Sequence, residues 1–201
     1  FSQMSKFWRY FFIFLSASGV LVFLAAFSLP DNRLHLVFCD VGQGDAILIY
    51  RGSTQVLVDG GPDRSVLSCL SKHIPFWDRK IEALVLTNPD LDHYGGFVDV
   101  VRRYQIGTFL TSGVRKESEG VKTLERELGI RDVGVVGVKE GDRINLGEIS
   151  FLTFWPTEEY LGRLEPQEAT GNVLGARTTN KPNEFSLVLG LSYGEFDALL
   201  T

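Results

Sequence analysis

The longest apolar stretch lies near the N-terminus, where residues 10–29 contain no charged side chain. A run of about 20 apolar residues is long enough to cross a bilayer as a helix. Lys6 and Arg9 precede the run and Pro30 follows it. The pattern predicts a transmembrane helix over residues 10–30, with residues 1–9 as a cytoplasmic stub and the rest of the chain on the extracytoplasmic face of the cell membrane. A secretory signal peptide is the alternative, because Ala25 and Ala26 resemble a cleavage site.

The remainder of the chain alternates between strand-like and helix-like apolar patterns. Short apolar or alternating runs bounded by glycine, proline and aspartate predict strands, and apolar residues three and four apart predict helices. The predicted strands cover residues 34–38, 46–50, 55–58, 81–86, 109–110, 133–138, 149–155, 185–191 and 196–201, the predicted helices cover 64–73, 97–104 and 117–128, and 157–183 is a polar loop. This order predicts one mixed α/β domain over residues 34–201, with sheets covered by helices.

Composition and charge limit the kind of surface that this domain presents. The chain has 201 residues, of which 44% are apolar, so it can form one well-packed core. Its net charge of −5 gives no indication of a surface that holds nucleic acid by bulk positive charge. The basic pairs Arg102-Arg103 and Arg115-Lys116 are expected to be exposed charge on helices and loops.

Only two cysteines occur, Cys39 and Cys69. They lack the C-x-x-C spacing of many zinc sites, so the sequence predicts neither a cysteine zinc site nor a disulfide framework. Cys39 lies in an apolar strand-like run, which favours a small buried thiol.

Chemically active side chains concentrate where the predicted strand 81–86 ends. Within seven residues the chain offers Asn88, Asp90, Asp92 and His93, and two glycines follow. Oxygen donors and one imidazole at this density can converge on a divalent cation. Taken alone, the segment is equally compatible with an Asx-rich turn that caps the next helix.

Two further turns carry the same combination of glycine and carboxylate. Residues 39–46 join the first two predicted strands and contain Asp40 and Asp45. Residues 58–61 close the third strand and contain Asp59. Each turn alone is ordinary turn chemistry. Three such turns that can reach one sheet edge favour the cation site over the cap.

These segments together resemble the metallo-β-lactamase domain of the ComEC family of DNA-uptake proteins. The resemblance rests on DVGQGDA at 40–46, VDGG at 58–61, T-x-x-x-x-DH-x-GG at 87–96, NEFSLVL at 183–189 and LLT at 199–201. It extends over about residues 34–201 and implies a four-layer αββα sandwich with its metal site at one edge of the two sheets. In that family a glycine and an aspartate follow the closing threonine, so we expect the domain to be truncated at its C-terminal end.

The resemblance also implies an activity, cofactors and partners. It implies a metal-dependent nuclease that degrades one strand of incoming DNA during natural transformation, with one or two zinc or manganese ions. The implied partners are single-stranded DNA in transient contact, the membrane, and the remaining transmembrane parts of a competence channel.

Site residues follow from position in the motif. Asp92 and His93 match the metal-binding pair of the family, and Asp92 could equally activate water. Asp90 stands where the superfamily often has histidine, and Asn88 occupies the place of the first motif histidine. The predicted metal ligands are therefore Asn88, Asp90, Asp92 and His93, the predicted catalytic residues are Asp90 and Asp92, and the predicted supporting residues are Asp40, Asp45 and Asp59.

Two alternatives stay open. A neutral amide at Asn88 is a poor zinc ligand, so the domain could be a catalytically impaired module with a structural role in the DNA channel. The chain could also be a free-standing membrane-anchored metallohydrolase that begins at Met4.

Overall fold

The computed structural model describes residues 6–27, 31–164, 177–178 and 181–201. The chain divides into two compact units, residues 1–31 and 32–201. The first unit contains helix α1, Lys6–Phe27. Within α1, Lys6–Leu24 is long and apolar enough to cross a membrane, a test that a signal sequence also passes. The helix thus overlaps the predicted span, and part of the predicted stub is helical.

The second unit is built on a six-stranded sheet in the order β1-β2-β3-β4-β5-β7. Its strands are β1 His35–Phe38, β2 Ile47–Arg51, β3 Thr54–Val58, β4 Lys80–Leu86, β5 Gln105–Thr111 and β7 Gly134–Gly137. The first three strands pair antiparallel, whereas β3, β4, β5 and β7 run parallel to one another. Parallel strands need crossover connections, and helices supply them here.

A second, antiparallel sheet has the order β12-β11-β9-β8. Its strands are β8 Arg143–Leu146, β9 Ile149–Trp155, β11 Val188–Tyr193 and β12 Phe196–Leu200. A short parallel pair joins β6 Val114–Arg115 to β10 Arg177–Thr178.

The helices of this unit are short. They are α2 Val66–His73, α3 Leu91–Tyr94, α4 Phe97–Arg103, α5 Glu119–Ile130 and α6 Glu158–Leu161, and a 3₁₀ turn covers Pro182–Phe185. The longest, α5, begins after Ser118, whose side-chain oxygen accepts a hydrogen bond from the Val121 amide. Such a cap satisfies an N–H group that has no partner inside the helix.

Alternation along the strands of the first sheet separates two cores. Leu48, Leu57 and Leu84 face the side of the sheet that packs against α2, α4 and α5. Their neighbours along the strands, such as Ile49 and Val85, face the second sheet. Because successive strand residues point to opposite faces, a strand buried on both sides reads as a continuous apolar run. The sheet is therefore held between a helical layer and a second sheet.

The predicted mixed α/β fold with two sheets and helices is confirmed. Some boundaries differ from the predicted ones. β5 begins at Gln105 rather than at residue 109. Its first four residues alternate between exposed and partly buried positions and include polar side chains, so they lack the continuous apolar run from which a strand was predicted. β8 was not predicted, since every one of its residues is at least partly exposed. The strand predicted from residue 185 begins at Val188, after the 3₁₀ turn.

The prediction of a free buried thiol at Cys39 is wrong. Cys39 and Cys69 form a disulfide, with a Cα–Cα distance of 5.6 Å. Cys39 follows β1 and is only half-buried, and Cys69 lies on α2. The two are 30 residues apart in sequence, so spacing gave no indication that α2 packs beside the end of β1.

Candidate active site

The three acidic turns meet at one edge of the first sheet. β3 and β4 are parallel, so the segments that follow Val58 and Leu86 leave the sheet at the same end. The Gly60 amide donates to the His93 carbonyl oxygen over 2.6 Å, and the Gly61 amide donates to the Asp45 carbonyl oxygen over 2.8 Å. These backbone hydrogen bonds tie the turns 39–46, 58–61 and 87–96 into one unit.

Asp59 is the centre of the buried network in this unit. Its side chain is 1% exposed, and its backbone takes the left-handed conformation, with φ of 56°. Oδ1 accepts a hydrogen bond from the Thr87 amide at 2.8 Å, and Oδ2 accepts one from the Thr87 hydroxyl at 2.5 Å. The Nδ1–H of His93 also donates to Oδ2, at 2.8 Å. One carboxylate therefore anchors both the start and the centre of the motif loop.

The charge states of Asp59 and His93 depend on each other. Burial raises the pKa of the Asp59 carboxyl, and the hydrogen bonds from His93 and Thr87 act in the opposite direction. The hydrogen bond to Asp59 raises the pKa of the His93 imidazole, although partial burial opposes this. Asp92 and Asp45 contribute further negative potential at His93. The hydrogen bond through Nδ1 fixes the orientation of the imidazole ring. Nε2 is then the ring nitrogen that Asp59 does not engage.

Asn88 and Asp90 already have partners on other elements. The Asn88 amide donates to Asn183 Oδ1 at 2.6 Å, whereas its own buried Oδ1 has no hydrogen-bond partner among the described residues. Asp90 Oδ1 accepts from Lys116 Nζ at 2.8 Å. Asp90 precedes α3 without a side-chain cap bond. Gly96, which precedes α4, has no side chain that could cap that helix. The helix-cap interpretation of this segment is therefore not supported.

The remaining predicted residues are more accessible. Asp92 is partly exposed beside His93, and Asp40 and Asp45 are exposed. Asp45 joins the unit through its backbone carbonyl. The catalytic, ligand and supporting roles assigned to these side chains stay predictions.

A metal centre is only partly built by the described residues. Within them, no group of three or more His, Cys, Asp and Glu side chains is placed to hold a metal ion. Asn88 Oδ1, which has no hydrogen-bond partner among the described residues, is an amide oxygen. Hard cations bind such oxygens as ligands, whereas zinc rarely does. The donors of this part of the chain therefore do not fit a closed four-ligand zinc site.

Sequence reasoning missed Lys116 as a neighbour of the site and Thr87 as an anchor of Asp59. Lys116 lies 26 residues from Asp90, and no local pattern links the two. The adjacent Arg115, predicted to be exposed, is 5% exposed and pairs with Glu117 and Glu125. Arg115 therefore joins β6 to the middle of α5 through Glu125.

The turn 39–46 approaches the motif loop closely at one glycine. A Cβ built on Gly44 would lie 2.0 Å from the Asp92 carbonyl oxygen, whereas one built on Gly42 meets nothing within 4 Å. Both glycines have φ of 81°. Gly42→Ala therefore introduces backbone strain alone, and Gly44→Ala adds a clash with backbone. We expect Gly44→Ala to lower the free energy of unfolding by about 1–3 kcal/mol more than Gly42→Ala, measured by urea denaturation. Equal effects of the two variants would contradict the close packing of this turn on Asp92.

A family model describes most of this unit. The model of the metallo-β-lactamase superfamily matches residues 39–168, which include all three turns. The chain belongs to the metallo-β-lactamase superfamily. Members of this superfamily typically bind divalent metal ions. The assembled turns and the incomplete donor group therefore belong to a fold that commonly carries a metal.

Solved metallo-β-lactamases share the fold at low sequence identity. Metallo-β-lactamase SMB-1, bound to 2-mercaptoethanesulfonate, is 15% identical, with a TM-score of 0.52 over 86% of this chain and 62% of its own. A HARLDQ motif mutant of the enzyme from Cronobacter sakazakii is 11% identical, with a TM-score of 0.50 over 83% of this chain and 60% of its own. The chain thus spans about three-fifths of the length of these relatives. A search of curated protein sequences finds no significant match.

Proposed function

We propose that this metallo-β-lactamase-fold domain is the hydrolase domain of a ComEC-like membrane protein, and that it degrades one strand of DNA during uptake. The superfamily supplies the fold, and the DVGQGDA run at 40–46 with the DH pair at 92–93 supports this branch of it. Single-stranded DNA, the membrane and a competence channel are the proposed partners.

The observation that carries the proposal is the bond network from Asp59 to Thr87 and His93. A histidine whose Nδ1–H is held by a buried carboxylate presents its other nitrogen in a defined orientation, as metal-binding histidines commonly do. Asp92 stands next to it, partly exposed, as the carboxylate available to bind or to accept a proton from water. Lys116, paired with Asp90, places a positive charge beside the loop, in a position to contact a phosphate oxygen of the substrate.

Two features support an extracytoplasmic position. Helix α1 is apolar enough to anchor the chain in a membrane. The Cys39–Cys69 disulfide is typical of oxidising compartments and rare in the cytosol. Together they are compatible with a domain that meets DNA outside the membrane.

Metal binding and cleavage test the proposal together. The full chain, purified in mild detergent, is titrated calorimetrically with Mn²⁺ or Zn²⁺ and then incubated with end-labelled single-stranded and duplex DNA. We expect saturable binding and metal-dependent cleavage that falls by at least about 100-fold in Asp92→Asn and His93→Ala.

Asp132→Asn is the matched control, because it removes the same charge at an exposed residue and should retain full activity. Cleavage that persists in both Asp92→Asn and His93→Ala would contradict the proposed site. A folded chain that neither binds these metals nor cleaves DNA excludes the proposed hydrolase.

A second candidate is a catalytically impaired module that helps to shape the DNA channel. It is favoured by the absence of a three-donor group in the described residues and by the Asn88–Asn183 hydrogen bond at a ligand position. Asn88→His discriminates between the two candidates. A gain of about 10-fold or more in zinc affinity, without DNA cleavage by the unmodified chain, would support the impaired module. An unchanged affinity would argue against it.

A further inference from the structure

Arginines lie at the edge of the first sheet opposite to the candidate active site. Because β4, β5 and β7 are parallel, the segments that enter them lie together at the other end of the sheet. Each of the three segments that precede these strands contains arginine. Arg79 precedes β4, Arg102 and Arg103 precede β5, and Arg131 precedes β7. Three connections distant in sequence therefore bring four guanidinium groups to one place.

The four arginines line a groove of about 610 Å³, together with Tyr104 and Gln105 among others. The Gln105 amide donates to the Arg79 carbonyl oxygen over 2.7 Å, which joins two of the segments that line the groove. Tyr104 is 7% exposed. Burial raises the pKa of its phenol, and the charges of Arg103 and Arg79 oppose that rise. Both arginines are therefore close to Tyr104 in the groove.

A buried carboxylate orders two of the arginines. Glu127, 8% exposed, accepts from Arg102 Nε at 3.0 Å and Nη2 at 2.8 Å, and from Arg131 Nη1 at 2.6 Å. Hydrogen bonding from Arg102 lowers the pKa of the Glu127 carboxyl, which stays ionised. A guanidinium has five N–H donors, so each arginine keeps donors for a ligand.

The other two arginines are available. Arg79 and Arg103 are exposed, and neither forms a side-chain hydrogen bond or ion pair with the described residues. Three further carboxylates lie close in sequence to the residues that line the groove: Asp78, Asp99 and Asp132. Asp99 is 3.9 Å from Arg102 Nη1, and Asp78 is occupied by Gln55 and the Lys80 amide. The residues that line the groove include four arginines and no Asp or Glu, although the chain as a whole is acidic.

An aromatic pair precedes Arg79 on the same loop. Phe76 is 81% exposed and Trp77 is 47% exposed, and their ring centroids are 4.9 Å apart in an edge-to-face arrangement. Aromatic rings on which bases stack, beside a positively charged groove, are the usual combination at sites that bind single-stranded nucleic acid. The pair is thus a second observation that points to the same ligand.

We propose that this arginine groove binds the phosphodiester backbone of a single-stranded nucleic acid, with Phe76 and Trp77 as a platform for its bases. Neighbouring strands are about 4.8 Å apart, so arginines from three of them span about 10 Å, more than one phosphate group reaches. Guanidinium forks match phosphate oxygens. A groove lined by four arginines can hold successive phosphates of one chain. The ligand class agrees with the proposed nuclease, on which the biological meaning of the groove rests.

The test measures nucleic-acid binding without metal. The full chain in non-ionic detergent with EDTA is titrated against a fluorescein-labelled oligothymidylate, and anisotropy is recorded over a range of salt. We compare Arg79→Glu/Arg103→Glu with Arg126→Glu/Arg143→Glu, which makes the same charge change at two exposed residues outside the groove. We expect the groove variant to bind at least about 10-fold more weakly with a salt slope reduced by about 1–2, and the control to stay within about 3-fold.

Trp77→Ala should also weaken binding, by about 5-fold or more. Equal binding by the groove and control variants, with both shown to be folded by circular dichroism, would overturn the proposal. So would a charge reversal that abolishes binding of short-chain phosphatidylglycerol while leaving oligonucleotide binding intact, because the groove would then be a lipid contact. Asp92→Asn should bind the oligonucleotide normally in EDTA. The binding test can therefore confirm the groove even where the nuclease proposal fails. It can also refute the groove where the nuclease proposal holds.

Discussion

Asp59→Ala is expected to lower the free energy of unfolding by about 3–5 kcal/mol, which is the range for removing one partner of a buried charged network. The substitution leaves the Thr87 amide and hydroxyl and the His93 Nδ1–H without their acceptor in a buried place. Each such orphaned group is unfavourable by about 1–3 kcal/mol. Urea denaturation of the chain, followed by near-ultraviolet circular dichroism, measures the change.

Asp132→Ala separates this effect from backbone strain. Asp132 has φ of 52°, close to the 56° of Asp59, but its side chain is exposed at the end of α5. Alanine in this left-handed conformation is unfavourable at both positions. The difference between the two variants therefore reports the hydrogen-bond network alone, and we expect it to exceed about 2 kcal/mol. Equal destabilisation would mean that Asp59 matters only for the shape of its turn.

The sequence predicted the frame of this site well, because its determinants are local. Apolar runs that stop at Val58 and Leu86 defined strand ends, and glycines beside carboxylates defined turns. Turns at strand ends are where such folds place their ligands, so the three acidic turns were predicted to reach one sheet edge. The family resemblance implies a supporting role for Asp59, and the hydrogen bond between Asp59 and His93 is compatible with that role.

What the sequence could not predict depends on contacts between distant segments. The Lys116–Asp90 pair and the Arg102–Glu127 pair join residues 26 and 25 positions apart, on elements whose packing no periodicity specifies. The arginine groove is a sharper example. Net charge of −5 argued against a basic surface, yet the parallel topology collects arginines from separate connections at one edge. Bulk charge averages over a surface, whereas a ligand meets only a local part of it.

Whether the predicted ligands can bind a metal also depends on contacts between distant segments. A motif assigns donors by order along the chain, but coordination requires that they converge in space. Here Asp90 is paired with Lys116 and Asn88 with Asn183, so two of the four predicted ligands have other partners. A metal titration is therefore more informative about this domain than further comparison of motifs.

Removal of the Cys39–Cys69 disulfide is expected to lower the free energy of unfolding by about 3–4 kcal/mol. The bond closes a loop with a sequence separation of 30, and a cross-link of this span restricts the unfolded chain by about that amount. The loop contains the turns 39–46 and 58–61, so reduction frees two of the three segments that build the candidate site. Urea denaturation with and without dithiothreitol measures the effect.

The double variant Cys39→Ser/Cys69→Ser is the control. It should match the reduced chain in stability and show no response to dithiothreitol, since no bond is left to break. Cys39 is only half-buried, so serine at that position should add little packing loss of its own. A chain whose stability is the same in both conditions would contradict the disulfide, and would remove one of the two supports for an extracytoplasmic position. A response in the unmodified chain alone would establish that the two cysteines are joined and that the turns of the site depend on an oxidising environment.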